Sequence, residues 1–388
     1  MTMLVELARR AVSHPHAATF VKRAVSIQHG EGDRVEVPTW GVVIVYLTFV
    51  VGMLGFSLMS YMLNHVIVSL CMVESPTAAI TVTSSTHEPS VKEGEKETLL
   101  ETGPTIELVN QKPITSSIRA TIRHLVDNGG RFARFRGYRV YILYHFLSTL
   151  AFAFFSGVFD FIPGQTILSA ALTGALLARV HAAWTHKVVG MPTEQSFWKR
   201  IPNKSHWKTL AVPAAIASAM PHISMYLLVG VVKLLGFTKE SDASKQWEPV
   251  SCAEKIGNIA RVLAVIVFAI SCYLFLCLPA MVTLARVEAS ILPEDQDAIV
   301  PFDRTFGGKV VSKMMGGTGV VGFLDAWRSF NWEARRRLIK LFIKNFFILT
   351  GLVIVIVHVV VFEMFAIIGP GVGHLMAQAK HDAMTRGA

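Results

Sequence analysis

Residues 41–63 read GVVIVYLTFVVGMLGFSLMSYML, 23 positions without one charged side chain. A helix rises 1.5 Å per residue, so roughly 20 apolar residues cover a hydrocarbon layer about 30 Å thick. Similar runs follow at about Val140–Ile162, Thr166–Ala183, Leu210–Leu235, Ile259–Leu284 and Leu341–Ile368. Backbone in lipid must satisfy its own hydrogen bonds, which selects helices. The chain therefore reads as an all-α, polytopic membrane helix bundle with six transmembrane helices. Pro213 and Pro221 predict a kink in the fourth.

Composition agrees with that reading. Hydrophobic residues make up 52% of the 388, mean hydropathy is +0.47, and only 16% are charged. Soluble domains carry about 25% charged residues. The first apolar run continues from Gly41 to Val73. At 1.5 Å per residue that is roughly 50 Å, longer than the lipid layer needs. Asn64 and His65 are expected to mark where the helix leaves it. Four cysteines, Cys71, Cys252, Cys272 and Cys277, form no C-x-x-C pair and read as small packing residues.

The chain divides into an N-terminal tail (1–39), a first span (40–73), a Ser/Thr/Glu-rich loop (74–117) expected to be disordered, and a five-helix membrane domain (118–388). Alternate loops differ in charge: 23 Lys and Arg lie on the side of 74–139, 185–209 and 285–340, against 10 on the other. The positive-inside rule puts the first set in the cytosol. The sequon Asn203-Lys204-Ser205 then faces away from the glycosylation machinery. An endomembrane or the plasma membrane is expected. Arg9, Arg10, Lys22 and Arg23 near the N-terminus leave the mitochondrial inner membrane as an alternative.

Aromatic and basic segments precede the even-numbered spans: RFARFRGYR (131–139), FWKRIPNKSHW (197–207) and FLDAWRSFNWEARRR (323–337). Phe323, Trp327 and Phe330 recur on one helical face. With Trp184, Trp198, Trp207, Trp327 and Trp332 these segments predict an interfacial belt of amphipathic helices against anionic headgroups. The lipid bilayer, rather than nucleic acid, is the expected partner of this basic chain. The cytosolic loops leave room for a protein partner. Ala170, Gly174 and Ala178 in the third span predict close helix packing.

A short internal repeat links the third and fifth spans. LARVHAA (177–183) and LARVEAS (284–290) agree at five of seven positions. Such repeats occur in transporters. His145, His222, His358 and Glu363 lie inside spans, where ionisable groups are costly and suggest function. Together with Asp160 they form a candidate polar path. A haem held by two of the histidines is the lesser alternative. His181 and His186, five residues apart, have the wrong spacing for two metal ligands on one helix face. No metal or other cofactor is expected.

Gly317-Thr318-Gly319-Val320-Val321-Gly322 fits G-x-G-x-x-G by letter. It lacks the strand before it and the acid about 20 residues on that a dinucleotide fold requires. It reads instead as a flexible Gly-rich joint at the membrane surface. No hydrolase elbow, zincin motif, P-loop or mitochondrial-carrier signature occurs.

SIRATIRHL (117–125), RFARFRGYR (131–139), ARVHAAWTH (178–186), ARVEASILPEDQDAIVPFDRTF (285–306) and DAWRSFNWEARRRL (325–338) carry a resemblance to a family of largely uncharacterised fungal six-span integral membrane proteins. Members often bear the label "ubiquitin carrier protein", which implies a soluble conjugating domain around a reactive cysteine. No uninterrupted soluble segment here is long enough for one. The resemblance implies the six-span architecture and carries over no functional residues. Three functions stay open: transport of a small solute or ion, a non-catalytic scaffold or assembly factor, and a membrane-embedded enzyme. Convergence of the intramembrane ionisable residues on one cavity would favour transport. Separate helix contacts would favour the scaffold.

Overall fold

The computed structural model describes residues 38–75, 78–83, 105–110, 112–193, 196–237, 252–293, 295–311, 315–317 and 319–369. Residues 1–37 of the N-terminal tail, with the presequence reading, lie outside them. Six helices are long and apolar enough to cross a membrane: Thr39–Val73, Arg131–Val158, Gln165–Val189, Lys204–Leu234, Lys255–Ser290 and Trp332–Ile367. The chain is a multi-pass membrane protein. It divides into two units, residues up to Ser60 with those from Lys344 onward, and Tyr61–Ile343.

In the first unit, helix α1 (Thr39–Ser60) packs antiparallel to residues 344–368 of the last helix. Gly41 faces Ile367, and a Cβ on Gly52 would lie 3.0 Å from Ile356. The Thr48 hydroxyl donates to Glu363 Oε1 at 2.9 Å. Apolar side chains of α1 such as Val43, Tyr46 and Leu47 stay exposed, as lipid-facing positions should.

The second unit begins with a π-helical segment, Tyr61–Ile67, followed by α2 (Val68–Val73). Asn64 and His65, expected where the helix leaves the lipid, lie in this widened turn. Nearly all side chains from Tyr61 to Val73 are buried within protein. That is where the excess length of the first apolar run goes. Residues 78–83 and 105–110 pair as an antiparallel ribbon, β1 (Ala78–Thr83) and β2 (Thr105–Asn110), with Ala78 opposite Asn110. The loop expected to be disordered thus holds a hairpin where β-branched residues cluster, AAITVT and TIELVN.

Next come α3 (Ile118–Gly129), α4 (Tyr138–Val158), α5 (Gln165–Val189), α6 (Trp207–Leu234), α7 (Cys252–Cys272), α8 (Leu278–Ser290), α9 (Phe323–Arg328) and α10 (Trp332–Ile368). A second π-helical segment, Tyr273–Cys277, joins α7 to α8. Helix α3 is amphipathic: Thr121 and Leu125 are buried while Arg119 and Arg123 are exposed. Helix α6 is continuous across Pro213 and Pro221, whose missing N–H groups leave the carbonyls of Thr209 and Ala217 without their helical donors.

Helices α5 and α6 meet where small residues allow it. Ala170, Gly174 and Ala178 are buried, and a Cβ on Gly174 would lie 2.5 Å from the Ala214 carbonyl oxygen, beside Ser218. A Gly174→Val chain is accordingly expected to lose about 1–3 kcal/mol or more through overpacking. Gly157→Ala meets nothing within 4 Å and serves as the neutral control. Unfolding in a denaturing-detergent titration measures both, and equal midpoints would contradict this contact.

The interfacial belt differs from its sequence reading in three places. Trp184 is buried in the core and donates its Nε1–H to the Tyr61 hydroxyl at 3.1 Å, so it is no interface residue. Trp332 and Arg335–Arg337 belong to the first turns of α10 and form no separate surface helix. Phe330 is fully buried, whereas Trp198, Trp207 and Trp332 are exposed and Trp327 is half-buried. The apolar face read from Phe323, Trp327 and Phe330 packs inward because α9 and the residues after it lie against α8.

The glycine-rich stretch is also anchored. Gly316 and Gly319 use positive φ, +81° and +65°, as a tight turn requires. Val321, however, is buried beside Leu284, Phe306 and Ala326, and its N–H donates to Ser290 Oγ at 3.3 Å. The expected flexible joint is a packed turn.

Candidate functional site

The last two turns of α5 bring His181, Thr185 and His186 to the face that meets α8. Glu288 of α8 is fully buried between them. Its Oε1 lies 2.7 Å from His181 Nδ1, and its Oε2 accepts a short bond from the Thr185 hydroxyl. Its backbone carbonyl accepts from His186 Nε2 at 2.8 Å. A carboxylate taken out of water requires such partners. His181 and Glu288 occupy the same position of the repeated LARV-x-A heptad, so the two halves of the repeat pair with each other.

Aromatic and imidazole rings extend this cluster. Tyr144 of α4 packs edge-on to His181 at 5.0 Å and to His145 at 5.5 Å. His145 contacts Tyr141 at 4.1 Å. The Tyr141 hydroxyl lies 3.0 Å from His65 Nε2, and His65 stacks on Tyr61. The Tyr61 hydroxyl in turn donates to the Arg136 carbonyl at 2.6 Å. Four elements of the second unit thus converge on imidazole, phenol and carboxylate groups.

The five residues of the candidate polar path are placed differently. In the second unit His145 joins the cluster, His222 stacks on Phe152 at 5.4 Å, and Asp160 accepts from Gln165 Nε2 at 3.1 Å in an exposed turn. In the first unit His358 donates to the Ile354 carbonyl at 2.7 Å. Glu363 there meets Thr48, and its Oε2 is buried without a partner among the described residues. Within each unit these side chains have separate surroundings. Their hydropathic setting says that they are costly, but it does not say which way each one points.

A second buried carboxylate closes the loop after α2. Glu74 Oε1 accepts from the Ile114 N–H at 2.6 Å, and Oε2 accepts from the Thr115 N–H at 3.1 Å and from the Thr115 hydroxyl. Arg337 lies 3.5 Å from Oε2 and donates to the Glu74 carbonyl at 3.1 Å. Glu74 thereby clamps both ends of the excursion 75–113.

No family model, curated protein or solved structure matches this chain. Its chemistry must be read from its own geometry.

The two repeat arginines are used differently. Arg286 is buried, donates to the Met72 carbonyl and to Ser329 Oγ, each at 3.1 Å, and lies 4.9 Å from the Phe306 ring and 5.6 Å from Phe330. Arg179 donates only its Nε–H, to the Pro202 carbonyl at 2.8 Å, among the described residues. Near Arg286, Asp303 caps a turn. Partial burial disfavours its charge, but bonds from the Thr305 hydroxyl and the Gly307 and Thr305 N–H groups, with Arg286 nearby, hold its carboxyl below the usual range.

Proposed function

We propose that the protein is a non-catalytic membrane scaffold that presents its 75–113 excursion to a protein partner on the cytosolic side. The observation that supports this reading is the Glu74 clamp. A buried carboxylate, two backbone amides, a hydroxyl and an arginine fix the ends of a segment that carries the β1–β2 ribbon just inside those ends. A two-stranded ribbon has outer edges whose backbone groups suit strand addition by an extended partner. The separate surroundings of His145, His222 and Asp160 in one unit, and of His358 and Glu363 in the other, add to it. A fungal six-span family, as the sequence resemblance suggests, is a compatible setting.

The experiment replaces residues 78–110 by a short Gly–Ser linker in the full-length chain. Cross-linked partners should be lost while membrane insertion and the unfolding midpoint are kept. Retention of every cross-linked partner would overturn the reading.

The His181–Glu288 pair, beside His145 and His65, favours a second reading: proton-linked movement of a small solute or ion. Purified protein in liposomes under a pH gradient decides between them. Solute uptake that Glu288→Gln abolishes and the 78–110 replacement leaves intact would favour transport.

A further inference from the structure

We propose that a cleft between the second half of α5 and the start of α6 binds the phosphate of an anionic lipid headgroup. The cleft has a volume of about 520 Å³ and is lined by Leu176, Arg179, Val180, Ile201, Lys204 and Trp207. Among the described lining residues, the two ionisable side chains are both cations.

Arg179 is prepared for such a ligand. Its Nε bond to the Pro202 carbonyl fixes the guanidinium plane, and its two terminal nitrogens have no bond among the described residues. A fixed planar fork suits two oxygens of one phosphate. Lys204 adds a second positive charge to the lining, on the turn that opens α6. The corresponding arginine of the repeat shows the contrast. Arg286 spends its terminal nitrogens on Met72 and Ser329 and its faces on Phe306 and Phe330. The chain fills one repeat arginine with itself and leaves the other open.

The remaining walls select a lipid over a free anion. Trp207 donates its Nε1–H to the Ala175 carbonyl at 2.8 Å, which sets the ring as a wall, yet 43% of the residue stays exposed. Leu176 is 57% exposed. An acyl chain leaving the phosphate would cover these apolar surfaces, and an inorganic ion would not. Trp and basic residues at a span end also match the headgroup level of a bilayer.

Native mass spectrometry of the full chain in detergent tests this, with phosphatidic acid, phosphatidylcholine and inorganic phosphate as probes. Phosphatidic acid should be retained about 10-fold more tightly than phosphatidylcholine, a difference of about 1.4 kcal/mol. Arg179→Lys, which keeps the charge but not the fork, and Lys204→Gln, which leaves the Pro202 bond in place, should each remove most of that preference. Equal retention of the two lipids would overturn the proposal, as would an unchanged preference in both variants. Displacement of bound phosphatidic acid by inorganic phosphate at comparable concentration would assign the cleft to a soluble anion and overturn the lipid.

Discussion

Replacing Glu288 with alanine is expected to destabilise the protein by about 2–5 kcal/mol, since each buried polar group left without its partner costs about 1–3 kcal/mol. The carboxylate is fully buried, and both of its oxygens are engaged. Its loss leaves His181 Nδ1 and the Thr185 hydroxyl without acceptors in a site closed by Tyr144 and Trp184. His181→Ala alone should cost less, because the Glu288 carboxylate keeps Thr185 and the imidazole is partly exposed. A double-mutant cycle in a denaturing-detergent titration measures the pair. If the two losses add, the His181–Glu288 contact contributes nothing and the α5–α8 pairing rests on packing alone.

Glu74→Ala is expected to have a comparable effect, about 3–5 kcal/mol, and a more local signature. Arg337 would lose the carboxylate while its bond to the Glu74 carbonyl stays, and the Ile114 and Thr115 amides would lose their acceptor. Hydrogen exchange at those two amides should rise sharply, with limited proteolysis near residues 112–117, while α5 and α6 keep their protection. Glu74→Gln retains one carbonyl oxygen and should fall between. Unchanged exchange at Ile114 and Thr115 in Glu74→Ala would show that the excursion is held by other contacts.

Hydropathy located the six spans because lipid imposes one simple demand on a helix surface. It misjudged their ends where protein, not lipid, covers the chain. Helix α5 runs to Val189 and α8 to Ser290, past the apolar limits at Ala183 and Leu284. Those extra turns carry His186, Arg286 and Glu288, and His181 lies just before them. They are covered by the π-helical segment, α4, Phe306, Ser329 and Phe330, and no local pattern announces such neighbours. The repeated LARV-x-A heptad was the one available signal, since it aligns the histidine with the glutamate that meets it. Trp184 failed for the same reason: its indole found Tyr61, far away in sequence, before it found an interface. Ala170, Gly174 and Ala178, by contrast, were legible because four-residue spacing states the contact face directly.

The π-helical turn at Tyr61–Ile67 sets the angular phase of everything that follows it in α2. Tyr61 and His65 lie one turn apart within it, their rings stacked at 5.8 Å. Removing one residue from this turn would restore α-helical winding and keep the downstream side chains in phase, whereas removing one from regular α-helix turns them by roughly 100°. In the first case His65 stays near Tyr141 and Glu74 stays on the amides it holds. A one-residue deletion inside the π-helical turn should therefore spare both sites, while a deletion of the same length within α2 should swing Glu74 off Ile114 and Thr115 and raise hydrogen exchange at those amides.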